Sequence, residues 1–381
     1  MEREVVVVGA GPSGSATAIA LARQGHDVLL LDRTEFPRDK TCGDGIPAGA
    51  IEVLYSLGME EKVRQADFYP VNRILLSSPR GHVLEADLKP GVTGASSYVV
   101  PRMQFDALIQ QHAVDSGAEF QRASVQEPIV EDGVVKGVRA KVNGSVEEIR
   151  SKIVVGADGV TSVVARALRQ DKHEDRHRAI ALRCYTEDLE VRPHQVEFYL
   201  YNDILPGYAW IFPFSESQTN LGLGMRLDKY RGVEKSLEEM VDVFLGMPRI
   251  KERLSQGGVL KDVAVWQLNF GSRAMQRAYD GAILVGDAAG LINPLTGGGI
   301  HNGLQSALLA GRIIHYGLAK DDLSLAVLGR YDVELEEKMK SSMRRSYWIQ
   351  RTLIRWPLVM DFLIRWGGAN SEVAKIFIDK L

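Results

Sequence analysis

The sequence predicts an α/β protein, α+β overall, in which a doubly wound parallel-sheet domain is interrupted by an inserted antiparallel-sheet domain and followed by a helical C-terminus. Three observations carry this. The β-branched run Val5 to Val8 ends at glycine, as a strand buried on both faces of a parallel sheet does. A like pattern, Ala282 to Val285 running into Gly286-Asp287, returns late in the chain. Between them, residues 180 to 270 are rich in strand formers and differ in character from their surroundings.

The elements follow in order. After Val5 to Val8, helical spacing runs from about Ser13 to Gln24, where Gly25 closes it. Asp27 to Leu31 reads as a second buried strand ending at Asp32, completing a βαβ unit of about 30 residues. Phe36 to Gly49 turns to Pro, Gly, Lys and a lone Cys, the composition of a functional loop, and helical spacing resumes over Ala50 to Leu57. Residues 71 to 100 predict short strands, with turns at Ser78-Pro79-Arg80-Gly81 and Lys89-Pro90-Gly91. A helix over Gln104 to Ser116 precedes strands joined by an Asp132-Gly133 hairpin, and Ile153 to Val155 is a short apolar strand. The inserted segment predicts one helix, at about 234 to 245; Gly303 to Leu318 is the closing helix, and 325 to 381 is mainly helical. The expected boundaries are 1–70, 99–170 and 275–325 for the parallel-sheet domain, 71–98 and 171–274 for the inserted domain, and 326–381 for the C-terminal segment.

Composition narrows the function classes. The chain has 381 residues, beyond the usual size of one core, and 45% hydrophobic with 25% charged residues describes a soluble globular protein able to bury a cofactor. Forty-six Lys and Arg against 49 Asp and Glu leave a net charge of -3, without the basic field that collects nucleic acid. Cys42 and Cys184 are the only cysteines and lack metal-ligand spacing, which predicts a reducing compartment, no disulfide scaffold and no metal. The valine run is too soon broken by glycine to be a signal peptide, and no stretch holds the roughly 18 apolar residues of a spanning helix. A cytoplasmic protein is expected, with any membrane contact peripheral, on the inner face.

Gly9-Ala10-Gly11-Pro12-Ser13-Gly14 follows a strand and opens a helix, with Asp32 and Arg33 closing the next strand. Gly9 makes the tight turn, Gly11 lets the backbone approach a pyrophosphate, and Gly14 lets helix and sheet pack. The helix start offers free N–H groups to phosphates, and Asp32 can accept from ribose hydroxyls. This motif alone leaves NAD and FAD open.

Two later segments decide between them. Gly156-Ala157-Asp158-Gly159 through Arg166, and Gly281 through Gly286-Asp287 to Gly290, resemble the further fingerprints of the FAD-dependent aromatic-hydroxylase superfamily. Together with the first motif they span about 280 residues, and the resemblance implies a Rossmann-like FAD-binding domain. It implies that Asp287 helps hold the ribityl-pyrophosphate, that Asp158 and Gly159 pack beside the cofactor, and that Arg102, after Pro101, contacts FAD. Pro294, the glycines Gly297, Gly298 and Gly299, and Ile300 precede the closing helix. Their backbone can pass against the flavin ring, and a helix N-terminus aimed at N1 and O2 stabilises anionic reduced flavin. The same residues also fit a merely flexible start to the helix. His301 there reads as a cap or supporting donor, and Cys184 as a small buried hydrophobe.

Cys42-Gly43-Asp44-Gly45-Ile46 and Pro206-Gly207-Tyr208-Ala209-Trp210-Ile211-Phe212-Pro213, with the triple glycine, resemble the geranylgeranyl reductase family. The likeness covers nearly the whole chain and weakens beyond about residue 330. It implies saturation of C=C bonds in a geranylgeranyl chain on a lipid or chlorophyll-type substrate, by hydride from reduced flavin N5 plus a proton. NADPH or reduced ferredoxin would supply the electrons. It also places Cys42, Gly43 and Gly45 near the flavin, and makes Tyr208, Trp210 and Phe212 the wall of a prenyl tunnel.

The residues support this chemistry in their own right. Tyr208, Trp210 and Phe212 alternate along a strand, so their rings share one side, either as a tunnel wall or as an aromatic face packed into the core. An isolated trisubstituted alkene has no carbonyl to polarise it. Coupled addition is expected, with a proton going to the less substituted carbon as hydride reaches the incipient tertiary cation. Aromatic faces stabilise that charge, and a dry tunnel prevents its capture by water. Cys42 is the candidate donor, since an ordinary thiol with a pKa of about 8.5 is mostly protonated at neutral pH. It also reads as a residue that shapes the pocket. Tyr208 is a second donor candidate.

From Lys338 to Trp366 there are seven basic residues (Lys338, Lys340, Arg344, Arg345, Arg351, Arg355, Arg365) and one acid, Asp361. Ile349, Leu353, Trp356, Met360 and Leu363 fall at helical spacing, with Arg344, Arg351, Arg355 and Arg365 roughly opposite. Residues 344–381 thus predict either peripheral contact with an anionic membrane or packing on the protein's own surface, in two helices meeting at Pro357. Two rival readings share the FAD motifs: an oxygen-using monooxygenase or halogenase, and a non-catalytic flavin-binding lipid carrier. Halogenases need a lysine beside the hypohalous acid channel and a second tryptophan in the strand that here carries Tyr208. The motifs specify neither the lipid head group nor the oligomeric state.

Overall fold

The N-terminal valines form β1 (Glu2–Val8), an inner strand of an eight-stranded sheet. The computed structural model describes residues 2–169, 173–255 and 259–368, the side chains at 353–355 excepted. Val5 pairs in parallel with Val28 of β2 (Val28–Asp32) on one side and with Ile153 on the other. Val5, Val6 and Val7 are fully buried, which is what an unbroken apolar run requires of a strand covered on both faces. The sheet order is Ala278–Tyr279, Ala282–Leu284, Ser145–Gly156, β1, β2, Glu119–Arg122, with two antiparallel strands branching from Ser145–Gly156. The first helix, α1 (Pro12–Ala22), packs between Arg102–Asp115 and the closing helix Ile300–Lys320. The close approach falls at Gly311, where a Cβ would stand 2.9 Å from the Ala20 Cβ.

Two expectations needed adjustment here. Ile153 to Val155 is only the end of a twelve-residue strand, Ser145–Gly156, whose first half pairs with Val134–Val142 and is polar because one face meets solvent. The closing helix starts at Ile300 and not Gly303, since the glycine turn ends at Gly299.

A second sheet of seven strands runs Lys261–Asn269, Arg178–Thr186, Thr219–Arg226, Tyr208–Pro213, Gln195–Tyr199, Arg73–Ser77, Val83–Asp87. It departs from the expected antiparallel pattern at one place: Gln195–Tyr199 and Arg73–Ser77 run parallel, because they come from separate chain segments with no hairpin between them. The helix Leu237–Leu245 covers one face. It starts at a capping box between Ser236 and Glu239, and buries Met240 and Phe244 against Tyr199, Ile211 and Leu223. Strand alternation then turns Tyr208, Trp210 and Phe212 to the opposite face. Besides the expected helix, the segment holds the short helices Leu227–Tyr230 and Pro248–Lys251.

The C-terminal segment forms Arg330–Arg355 and Pro357–Gly368, broken at Pro357, which has no N–H to continue the first helix. The expected single apolar face is corrected. Met360 and Ile364 are buried against Leu76, Leu84 and Leu200 of the second sheet, and Leu363 is half-buried beside them. Trp348, Trp356, Leu358, Val359, Phe362 and Trp366 are exposed. The break at Pro357 separates the register of the two helices, so Trp356 no longer shares a face with Met360. The side chains of Leu353 and Arg355, and residues 369–381, lie outside the described residues. No described helix is long and apolar enough to cross a membrane.

Candidate functional site

A cavity of about 960 Å³ lies between the C-terminal ends of the parallel strands and the aromatic face of the second sheet, the position where doubly wound folds place their ligands. It is lined by Gly9, Gly11, Ser13, Asp32 and Arg33 from the first βαβ unit, and by Asp158, Gly159 and Asp287 from the later strand ends. Pro294, Gly297, Gly298, Gly299 and Ile300 line it at the start of the closing helix. Cys42, Gly43, Gly45, Arg102, Tyr208, Trp210 and Phe212 complete the set. Gly14 and Gly286 stand behind the lining. A Cβ on Gly14 would lie 1.8 Å from the Gly9 carbonyl oxygen, and one on Gly286 (φ +59°) would lie 2.3 Å from Ser13 Oγ.

These residues fit FAD. Neither α1 nor the closing helix has a side-chain cap, so both present free N–H groups towards the cavity. A Cβ on Gly11 would meet only the Arg38 guanidinium, at 3.5 Å, leaving backbone open to a pyrophosphate. Asp32 is fixed in place: Oδ2 accepts from the Ala10 N–H at 2.9 Å, and Oδ1 accepts from the Thr34 N–H and hydroxyl at 3.0 and 2.9 Å. Asp158, by contrast, uses both oxygens on the start of the helix Val163–Leu168, accepting from Ser162 Oγ and, at 2.7 Å, from the Val163 N–H. It shapes the cavity wall.

Arg102 is buried, with Nε and an NH group donating to Asp106 at 2.6 and 2.8 Å; Asp106 also accepts from Arg38 at 3.0 Å. Its guanidinium and the Asp44 N–H lie near the Cys42 sulfur and favour its thiolate. Cys42 lines the cavity. Burial pushes its pKa up, and Arg102 opposes this without cancelling it, so the thiol holds its proton at neutral pH.

The loop carrying Cys42 packs directly on the aromatic wall. A Cβ on Gly43 would stand 3.4 Å from both Phe212 and Trp210, and one on Gly45 3.2 Å from Phe212. Across the sheet, Trp210 pairs with Gly222 and Tyr208 with Gly224. A Cβ on Gly222 would lie 2.5 Å from the Trp210 ring, so the glycine makes room for the indole. Tyr208 donates its hydroxyl proton to the Thr296 carbonyl, which ties the wall to the glycine segment; burial raises its pKa far above the ordinary phenol value.

Other residues in and around the cavity were not evident from sequence. Phe198 meets Tyr208 and Phe212 edge-on at 5.3 and 5.2 Å, and its alternation within Gln195–Tyr199 was the available signal. Lys40 Nζ stands 4.1 Å over the Trp266 ring, its pKa pushed down to about 8, chiefly by burial. Behind the Cys42 loop, Asn220 donates at 2.8 Å to both the Cys42 carbonyl and Asp44 Oδ2, and accepts from Trp210 Nε1 at 2.9 Å. Strand pairing brings Asn220 within reach of residues about 180 positions away, for which the chain carries no local signal. His301, which the sequence marked as a cap or supporting donor, makes no cap on the closing helix; it packs on Gly49, and burial lowers its pKa.

The FAD binding domain family matches residues 2–334. The chain is 31% identical over 363 residues to the digeranylgeranylglycerophospholipid reductase of Methanocella arvoryzae, covering 93% of this chain and 88% of that one. It is 33% identical over 357 residues to digeranylgeranylglycerophospholipid reductase 1 of Methanopyrus kandleri, covering 90% and 88%. The chain belongs to the geranylgeranyl reductase family. Within reach of that family is the menaquinone reductase of Mycobacterium tuberculosis, 32% identical over 323 residues and covering 82% and 76%. Among solved structures, a geranylgeranyl bacteriochlorophyll reductase-like protein of Thermoplasma acidophilum shares the fold with a TM-score of 0.86 at 24% identity, covering 100% and 99%. The fold reaches further: the myxobacterial chondrochloren halogenase matches at a TM-score of 0.76 and 22% identity, covering 88% and 80%.

Proposed function

We propose that this geranylgeranyl reductase family member is an FAD-dependent reductase that saturates C=C bonds of a geranylgeranyl chain on a lipid. One observation supports it above the rest: the Cys42 loop lies on the Trp210–Phe212 wall inside the cavity opened by the FAD motifs. Bound reduced FAD supplies hydride there. Cys42 holds the proton that the alkene takes up, and Arg102 with the Asp44 N–H supports the sulfur as it leaves. Tyr208, Trp210, Phe212 and Phe198 hold the apolar chain, exclude water and face the developing cation. NADPH or reduced ferredoxin re-reduces the flavin.

The test is anaerobic. FAD-loaded enzyme is reduced, mixed with digeranylgeranyl phospholipid or menaquinone, and followed for flavin reoxidation and product mass. A gain of two hydrogens per double bond without oxygen is expected. Oxygen insertion with an oxygen requirement would instead establish the hydroxylase or halogenase chemistry, and no turnover under either condition would leave a lipid carrier. Supplying NADPH and reduced ferredoxin separately identifies the donor.

We also infer that Pro357–Gly368 meets an anionic membrane. Its inner side, Met360 and Ile364, belongs to the cluster that includes Tyr208, Phe198 and the cavity residue Leu295. Its outer side presents Leu358, Val359, Phe362 and Trp366 beside exposed Arg365, with Arg344, Arg345 and Arg351 exposed on the preceding helix. An apolar face rimmed by Trp and Arg suits the headgroup boundary, and would bring the lipid substrate close to the aromatic wall. Phe362→Ser with Trp366→Ser should abolish flotation with phosphatidylglycerol vesicles while leaving FAD bound. Equal flotation of variant and parent would end this inference.

A further inference from the structure

Beside its aromatic wall, the cavity face of the second sheet carries a trough floored by small residues. Strand pairing places Tyr208 opposite Gly224, Gly224 opposite Ala181, and Ala181 opposite Trp266. Three strand spacings separate the two aromatic residues, about 14 Å between backbones, with only a hydrogen and a methyl group standing between them. A Cβ on Gly224 would meet nothing nearer than the Ala181 Cβ, at 3.2 Å, so the space above the floor is open. Tyr208 and Trp210 stand along one side, Trp266 and Leu268 along the other, and all four line the cavity.

The two ends of the trough differ. At one, Arg226 is taken up by Asp228, to which Nε and an NH group donate at 2.7 and 2.6 Å. At the other, Trp210 leans over Gly222, and Arg183 stands next across the sheet, 1% exposed. Arg183 donates through its NH groups to Asp39 at 2.5 Å and to the Asp262 carbonyl at 3.2 Å, but its Nε has no partner among the described residues. Trp266, its diagonal neighbour on the same face, has a buried Nε1–H that also lacks a partner among the described residues. Lys40 completes the corner. Its Nζ lies 4.1 Å over the Trp266 ring, and no carboxylate pairs with it among the described residues.

Two bare N–H donors and an ammonium thus gather at one end of an apolar trough. Buried donors left without acceptors are costly, and one oxyanion with several acceptor oxygens satisfies them together. The charges agree, since Asp39 balances Arg183 while Lys40 adds a positive charge without a partner. FAD does not account for these donors: its pyrophosphate is met by Gly11 and the start of α1 on the parallel-sheet side, whereas they gather on the second sheet. We propose that Arg183, Trp266 and Lys40 seat a phosphate ester, the head-group phosphate of the prenyl lipid, with the adjoining isoprene units lying in the trough towards Tyr208. This rests on the reductase reading of the site and narrows its substrate class to phosphorylated prenyl lipids, setting a quinone head group aside. NADPH also carries phosphate esters, but the alkyl floor and walls leading to the site favour the lipid.

The comparison that tests this is between digeranylgeranylglyceryl phosphate and neutral digeranylgeranylglycerol, each dissolved in non-ionic detergent. FAD-loaded enzyme, reduced with dithionite so that no nicotinamide is present, is mixed anaerobically with each lipid, and flavin reoxidation gives kcat/KM. Binding of the same lipids to the oxidised enzyme is followed by tryptophan fluorescence. We expect the parent to favour the phosphorylated lipid ~10-fold or more in both measurements, and Lys40→Gln to lower that ratio ~10-fold, the loss of one charge-assisted hydrogen bond. Arg183→Lys, which keeps the charge and removes the Nε donor, should lower it as well; Lys40 is only half-buried, so its variant decides where Arg183→Lys fails to fold. Equal handling of the two lipids by the parent, or an unchanged ratio in Lys40→Gln, overturns the site. An unchanged lipid ratio with a raised KM for NADPH, measured without dithionite, gives the phosphate to the electron donor and overturns the head-group assignment. Loss of FAD from Lys40→Gln overturns it too, by assigning Lys40 to the cofactor. A parent that binds the phosphorylated lipid preferentially yet saturates neither overturns the reductase reading alone.

Discussion

Cys42→Ala keeps its FAD and loses alkene reduction, with the single-turnover rate on a geranylgeranyl lipid falling on the order of 10² to 10⁴-fold, the usual contribution of a positioned general acid. The argument is geometric before it is electrostatic. The loop from Cys42 to Gly45 is pressed against Trp210 and Phe212, so the thiol lies beside the wall that would hold the alkene. Arg102 and the Asp44 N–H support the sulfur after the proton leaves, although burial keeps the thiol protonated beforehand. The pH dependence follows from the sign of that shift. A donor must carry its proton, and this thiol's pKa is raised, so the parental rate should stay level through neutrality and fall only above the ordinary thiol value of about 8.5. Anaerobic stopped-flow measurement of flavin reoxidation across pH checks both points. An unchanged rate in the variant, or a parental rate already falling with rising pH below neutrality, would remove Cys42 from the chemistry.

Gly14→Ala should yield folded protein without cofactor. The added methyl would stand 1.8 Å from the Gly9 carbonyl oxygen and 3.1 Å from the Ala157 Cβ, so backbone and not a flexible side chain must yield. Gly9 cannot yield easily: it sits at φ +100°, where a Cβ would meet the Ala157 carbonyl at 2.5 Å. Relief therefore has to displace the turn whose N–H groups face the pyrophosphate. Overpacking of this kind costs about 1–3 kcal/mol, which lowers FAD affinity roughly ten- to a hundredfold when it falls on the binding turn. Flavin absorbance after gel filtration, beside far-ultraviolet circular dichroism for the fold, measures the two effects separately. Stoichiometric FAD in the variant would show that the turn tolerates the methyl group.

Much of the cofactor half was legible in the chain because its determinants are local. Gly9, Gly11 and Gly14 lie within one turn, Asp32 ends the next strand, and each answers a backbone requirement that glycine or a short carboxylate meets. The alternation of Tyr208, Trp210 and Phe212 was likewise readable, since strand geometry alone puts them on one face. Whether that face met the core or a cavity was not readable. The answer depended on the helix Leu237–Leu245, which occupies the other face and leaves this one open. The C-terminal helices show the same limit from the opposite direction. Periodicity marked them as amphipathic and left open whether the apolar face met a membrane or the protein; Met360 of that face is buried on the protein, while Phe362 and Trp366 are exposed. A helix apolar on two sides gives no periodic signal for which side the protein covers.

By itself the sequence determined the dinucleotide turn, the FAD fingerprints, the family and the aromatic strand, because each is written in residues a few positions apart whose backbone geometry is fixed by local rules. Only the tertiary structure decided that the loop following Cys42, at Gly43 and Gly45, rests on Trp210 and Phe212, that Arg102 lies near the Cys42 sulfur, and that Asn220 and Tyr185 close around Asp44. Those contacts join segments more than 50 and up to about 180 residues apart. Their strength comes from shared burial, which pairing and packing of whole sheets create and no short stretch of chain can encode.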